Sequence, residues 1–221
     1  MIEQLYILPI LLFSVVIHEL AHGWMALRLG DPTAKMMGRL TLNPIPHIDL
    51  MGSIIVPLFS LIMAGQIFIA WAKPVPVNPL NFSNYRRDDI LVSVVGPFSN
   101  LVLAFLCTLL FIVTGLISPY FVHINPLFEQ GFDFLLSMFA GGITLNIVLG
   151  VFNLIPIPPL DGSHVLAALL PEDISESYQR IGFFGIFIIL ILMRWEPFHF
   201  LFIDIIKILT TPFHMIINIF F

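Results

Sequence analysis

Residues 5–29 read LYILPILLFSVVIHELAHGWMALRL, and the fold class follows from this stretch. No charged side chain occurs between Leu5 and Ile17. The run is long enough to form a helix that crosses the hydrocarbon core of a bilayer, which needs about 20 apolar residues. Its second half carries His18-Glu19-Leu20-Ala21-His22. Residues four apart share one face of a helix, so His18 and His22 can reach the same metal ion. Glu19 lies one residue beyond the first histidine, where its carboxylate can take a proton from water polarised by that ion. Ionisable groups inside an apolar helix are costly and are kept for function. With 7 histidines in 221 residues, roughly 0.006 matches to such a pattern are expected by chance. The alternative is a histidine pair hydrogen-bonded to neighbouring helices, with Glu19 paired to one of them.

The rest of the chain has the same character. It is 58% hydrophobic and only 10% charged, against about 25% charged residues in a soluble domain. Apolar stretches run over residues 5–29, 50–71, 90–117, 132–155, 181–195 and 198–221. They predict an all-α polytopic membrane protein with five to six membrane segments. The fifth stretch is short for a full crossing. Residues 1–221 read as a single domain, with a motif core at about 5–170 and C-terminal membrane segments at about 178–221. No internal repeat is visible. The net charge of −5 and the lack of a basic patch argue against nucleic acid as a partner. Cys107 is the only cysteine, so no internal disulfide can form. Met1-Ile2-Glu3-Gln4 lacks the basic start of a cleaved signal peptide.

Two more polar segments separate the first three apolar stretches. Thr33 to Leu42 suggests one or two short strands at the membrane edge. Lys73-Pro74-Val75-Pro76-Val77-Asn78-Pro79 is held extended by its prolines. Arg28, Lys35 and Arg39 follow the first helix, and Lys73, Arg86 and Arg87 precede the third stretch. The positive-inside rule places both groups on the cytoplasmic side. Residues 50–71 would then form a re-entrant hairpin, broken at Gly52, Pro57 or Gly65 and covered by protein or water. A plain single crossing is the competing reading on hydropathy alone.

A catalytic zinc needs a third protein ligand and an open position for water. Asp161 is the candidate. It follows Asn153-Leu154-Ile155-Pro156-Ile157-Pro158-Pro159-Leu160, where three prolines end the fourth stretch, and it precedes Gly162. An Asp-Gly pair also reads as a turn or a helix N-cap.

With Gly96-Pro97-Phe98-Ser99-Asn100, these motifs resemble the site-2 protease family of intramembrane metalloproteases. Arg28-Leu29-Gly30-Asp31-Pro32-Thr33-Ala34-Lys35 and Trp71-Ala72-Lys73-Pro74-Val75-Pro76-Val77 are similar to compact prokaryotic members without PDZ or CBS domains. The match runs from about His18 to Gly162, and the tail after Leu170 resembles nothing further. The resemblance implies one Zn2+ per chain, held by His18, His22 and Asp161, with Glu19 as general base. It implies that Asn100 positions substrate or stabilises an oxyanion, a task suited to an amide, although helix-to-helix hydrogen bonding is the alternative. Asn153 is expected to bond backbone freed by the prolines. His164 reads as a residue supporting the metal site or as an exposed cap, and His47 as a neighbour of the cleft or an interface marker. The implied activity is endopeptidase cleavage in or near a transmembrane helix of a membrane-protein substrate, in regulated intramembrane proteolysis. His18–His22 and Asp161 both lie towards the C-terminal ends of their helices, so those helices run the same way. That parity requires zero or two crossings by residues 50–71. It also puts the site nearer the cytoplasmic face of the cell membrane. A metal transporter using the same three ligands is the rival reading, and repeats would be expected of it.

Overall fold

The computed structural model describes residues 6–55 and 72–221. Helix α1 spans Ile7–Arg28 and carries the HExxH motif. It stops at Gly30, whose φ of 105° is one that side-chain-bearing residues rarely adopt. The chain reverses there, and the Asp31 amide donates to the Ala26 carbonyl (2.8 Å).

Helix α2, Thr33–Met36, is a single turn. It occupies the start of the segment expected to form strands, and no strand occurs among the described residues. The cause is local. Asp31 Oδ1 accepts from the Thr33 amide (3.1 Å) and starts the turn. The amides of Met36 and Met37 then bond the carbonyls of Pro32 and Thr33. A local side-chain-to-backbone bond of this kind competes with extended pairing when no partner strand is at hand.

Helix α3 spans Tyr85–Phe121, longer at both ends than the apolar run at 90–117. Asn84 Oδ1 accepts from the Arg87 amide (3.2 Å) and Asp88 Oδ2 accepts from the Asn84 amide (2.9 Å). This reciprocal cap carries the helix outward through a charged first turn. Its 37 residues give a length of about 55 Å, well beyond the roughly 30 Å of a bilayer core. Helix α4, Pro126–Asn153, starts with proline at its first position and Asn125 as cap.

After the prolines come three short helices: α5 (Asp161–Leu169), α6 (Glu172–Gln179) and α7 (Gly185–Arg194). Ten residues make α7 about 15 Å long, too short to cross alone. It meets α6 at a 68° bend. Helix α8, Glu196–Ile217, completes the described chain.

Among the described residues, four helices, α1, α3, α4 and α8, are long and apolar enough to cross a membrane, and the bent α6–α7 pair would make a fifth. The hairpin expected at 50–71 falls largely outside the described residues. A π-helical turn covers Leu50–Ile55.

Ile10 of α1, Ala104 and Cys107 of α3, Ile143 and Ile147 of α4 and Ile206 of α8 form one buried cluster. Small residues let the helices approach: a Cβ on Gly142 would lie 2.9 Å from Cys107 Sγ. The outer face of α3 is the reverse case, with Phe98, Val102, Phe105, Leu109 and Val113 all exposed. An apolar coat of this extent suits lipid rather than water.

Candidate metal centre

α1 presents His18 and His22 on one face, and α5 presents Asp161 from its first position. Leu160, not Asp161, caps α5, and no side-chain cap bond forms. The Asp161 carboxylate is thereby free to turn towards α1. His18 Nε2 and His22 Nε2 are 3.0 Å apart, and Asp161 Oδ2 lies 3.1 Å from the first and 3.3 Å from the second. Gly162 makes this approach possible, because a Cβ there would lie 2.2 Å from the Leu154 carbonyl oxygen.

The protonation pattern of this triangle can be worked out from its outer partners. His22 Nδ1 donates to the Val92 carbonyl (2.6 Å). A carbonyl only accepts, so the proton is on Nδ1 and Nε2 offers a lone pair. His18 Nδ1 meets Asn100 Oδ1 at 2.6 Å, with the same result. Two imidazole lone pairs and a carboxylate oxygen therefore converge, and Asp161 Oδ2 is buried without a hydrogen-bond partner. Three acceptors in contact are electrostatically unfavourable without a cation between them.

Zinc fits. Four tetrahedral ligands at 2.0–2.1 Å from the ion sit about 3.3 Å apart, close to the three distances seen. α3 passes directly beneath: a Cβ on Gly96 would lie 2.3 Å from His22 Nε2 and 2.8 Å from His18 Nε2. Only glycine leaves that space open.

Glu19 is held from outside the helix. The Val75 amide donates to Glu19 Oε2 (2.7 Å), and it is the only amide N–H among residues 74–76 because Pro74 and Pro76 have none. The segment around Val75 is fastened as a strap. Its Lys73 amide donates to the His47 carbonyl (2.9 Å). Arg39 Nη2 donates to the Lys73 and Pro74 carbonyls (2.8 and 3.3 Å). The Asn78 amide donates to Asp31 Oδ2 (2.7 Å). Buried Asp31 also accepts from Asn81 Nδ2 (2.7 Å). Burial works against its ionisation, yet the bonds from Thr33, Asn78 and Asn81 prevail and hold its carboxyl below the usual range.

The remaining sequence candidates are placed as follows. Asn100 is fully buried. Its Oδ1 faces His18, and its Nδ2 donates to Asn146 Oδ1 (2.9 Å). Asn153 Nδ2 bonds the Leu149 carbonyl of its own helix (3.0 Å). Half-exposed His164 sits 3.3 Å from Asp89 Oδ2; the carboxylate raises its pKa above the ordinary histidine value, against the effect of burial. His47 is buried, with Nε2 donating to the Thr41 carbonyl (3.0 Å). Sequence reasoning missed Asn146, the Val92 carbonyl and the Val75 amide. Two of these are backbone groups with no residue-type signal, and Asn146 lies in an apolar run.

Fold and site together define a helical protein rich in membrane-length helices, with an HExxH helix and a distant aspartate converging on one metal position. Residues 113–193 match the model of peptidase family M50. The chain is 39% identical over 187 residues to the Bacillus subtilis (strain 168) protein YwhC, named as a candidate zinc metalloprotease. That match covers 85% of this chain and 79% of YwhC. It is 30% identical over 182 residues to Rip2 of Mycolicibacterium smegmatis, named likewise, covering 82% of this chain and 64% of that one. It is 26% identical over 168 residues to zinc metalloprotease MJ0392 of Methanocaldococcus jannaschii, of which it spans 35%. No solved structure matches. The chain belongs to peptidase family M50, as the resemblance to site-2 proteases implied. It spans less than two thirds of the length of the Mycolicibacterium and Methanocaldococcus relatives.

Proposed function

We propose that the protein is a zinc-dependent endopeptidase that hydrolyses a peptide bond in or near a transmembrane helix of a membrane-protein substrate. The observation that carries this is the convergence of His18 Nε2, His22 Nε2 and Asp161 Oδ2 on the helix that also bears Glu19. Zinc held there would supply a Lewis acid that brings the pKa of water down towards 7. Glu19 takes the proton from the attacking water and passes it to the departing amine. The Val75 amide holds Oε2 of Glu19 and leaves Oε1 for that proton. Asn100 acts on the site through His18, since it is fully buried and bonded to His18 and Asn146.

The membrane setting is supported by four to five spans' worth of apolar helix. The hairpin reading of residues 50–71 is supported by the bond between Lys73 and His47, which brings the two ends of that segment to one place. With the flanking positive charge, this favours a site nearer the cytoplasmic face of the cell membrane. A substrate helix hides its carbonyls in its own hydrogen bonds and must unwind before attack. Residues 72–78, which lie in neither helix nor strand, offer an open backbone to the unwound strand, whereas Thr33–Met36 is helical. The Val75 amide is engaged by Glu19, so pairing would use the strap's other edge. Release of a membrane-tethered regulator would be the physiological outcome.

The test compares purified wild type with Glu19→Gln and Asp161→Ala for bound zinc and for cleavage of a transmembrane substrate. Glu19→Gln should keep zinc and lose cleavage, and Asp161→Ala should lose both. A Glu19→Gln variant that cleaves normally would overturn the mechanism.

A further inference from the structure

Asparagine is an ambivalent partner for histidine. Asn100 could meet His18 Nδ1 with its oxygen, as here, or with its NH2 group. In the second arrangement the histidine proton would move to Nε2, which would then present an N–H to Asp161 and His22 instead of a lone pair. Something must fix which way the Asn100 amide points.

The decision comes from helix α4. The Gly142 carbonyl can only accept, and Asn146 Nδ2 donates to it (2.9 Å). That contact turns Asn146 Oδ1 towards α3, where it can only accept. Asn100 Nδ2 donates to it (2.9 Å), which leaves Asn100 Oδ1 facing His18 Nδ1 at 2.6 Å. Each bond dictates the next, from a backbone carbonyl of α4, across α3, to the metal face of α1. Asn100 and Asn146 are both fully buried, so water is not available to satisfy the wrong orientation. His22 is set more directly, by the Val92 carbonyl.

We propose that Asn146 is a positioning residue that, through Asn100, fixes the tautomer of His18 and aims its Nε2 lone pair at the metal. This rests on the metal-site reading above. A purely structural role, tying α4 to α3, would predict different behaviour in one variant. An aspartate at position 100 offers only acceptor oxygens when ionised and needs no orienting. Asn100→Asp should therefore suppress the defect of an Asn146 variant, which no packing role would do.

The experiment measures zinc affinity by chelator competition in detergent, alongside the unfolding temperature of the zinc-free protein. Wild type, Asn146→Leu, Asn146→Ala, Asn100→Asp and Asn100→Asp/Asn146→Leu are compared. Asn146→Leu and Asn146→Ala are expected to weaken zinc binding by about 10- to 100-fold, the usual effect of removing an outer partner of a ligand. The double variant is expected to bind within about threefold of Asn100→Asp alone. Ring-nitrogen NMR of His18 should show one tautomer in the wild type and a mixture in the Asn146 variants. Undiminished zinc binding in both Asn146 variants would overturn the proposal, as would the same loss from Asn146→Leu in the Asn100→Asp background. Wild type that binds no zinc would instead overturn the metal-site reading. Asn146→Ala supplies the reading if Asn146→Leu does not fold.

Discussion

Replacing Gly96 by alanine tests the metal centre through a single methyl group. The added Cβ would stand 2.3 Å from His22 Nε2 and 2.8 Å from His18 Nε2. Ordinary contact begins at 3.4 Å, so His22 Nε2 must retreat by about 1 Å, against a tolerance of about 0.2 Å in zinc–ligand distance. Its ring cannot pivot freely, because Nδ1 is tied to the Val92 carbonyl. At least one ligand is then lost, and zinc affinity should fall by at least about 100-fold, or roughly 2.8 kcal/mol. The zinc-free fold should hold. Alanine favours helix over glycine by about 0.8–1 kcal/mol, which offsets strain relieved by moving a side chain. Loss of metal without loss of fold is the signature. The assay is zinc per chain by elemental analysis, with thermal unfolding of the zinc-free protein. Gly131→Ala is the control: it also lies within a helix, with nothing within 4 Å of the added Cβ, and should leave zinc binding unchanged. Gly96→Ala that binds zinc as tightly as wild type would refute the geometry, and so the reason for glycine at this position.

Val75→Pro deletes the amide that holds Glu19 while keeping an extended backbone; cleavage should fall about tenfold with zinc content unchanged, as turnover and elemental analysis would show. Asp31→Ala strips the acceptor from four hydrogen bonds, costing roughly 3 kcal/mol, measured by denaturant unfolding. Because the pKa of Asp31 is lowered from 3.8, its contribution is present above that pH and is lost as pH falls through the folded value; wild type and Asp31→Asn should converge in acid. The His164 pKa is raised above 6.5, so its pairing with Asp89 stabilises the fold below that pH and fades as pH rises through the folded value. The difference in unfolding temperature between wild type and His164→Asn should shrink on that alkaline side, and a constant difference would count against the pairing.

Much of this protein was legible in its sequence because membrane helices announce themselves by length, and histidines four residues apart share a face by helix geometry. Helices α1, α3 and α4 lie where the apolar runs placed them. α3 starts earlier than its apolar run because Asn84 and Asp88 cap a charged turn that hydropathy does not detect. The strand reading of Thr33 to Leu42 failed because one side chain, Asp31, reaches forward to start a helical turn. Other contacts depend on distant packing and were not visible. His164 meets Asp89 75 residues away. The Glu19–Val75 bond involves a backbone donor. Asn146 matters because of the direction its amide faces, which residue type does not encode.

The strap over Glu19 has a consequence for chain entropy. Pro74, Pro76 and Pro79 fix φ at three of six consecutive positions, and each proline also biases the residue before it towards extended structure. The unfolded strap is thus already close to its folded shape. Each well-placed proline lowers the entropy of the unfolded chain by an amount worth about 0.4–1 kcal/mol. A few hydrogen bonds, to Arg39, His47 and Asp31, are then enough to keep the Val75 amide at the carboxylate. The order around Glu19 is supplied in part by restricting what the unfolded chain can do, and in part by contacts made on folding.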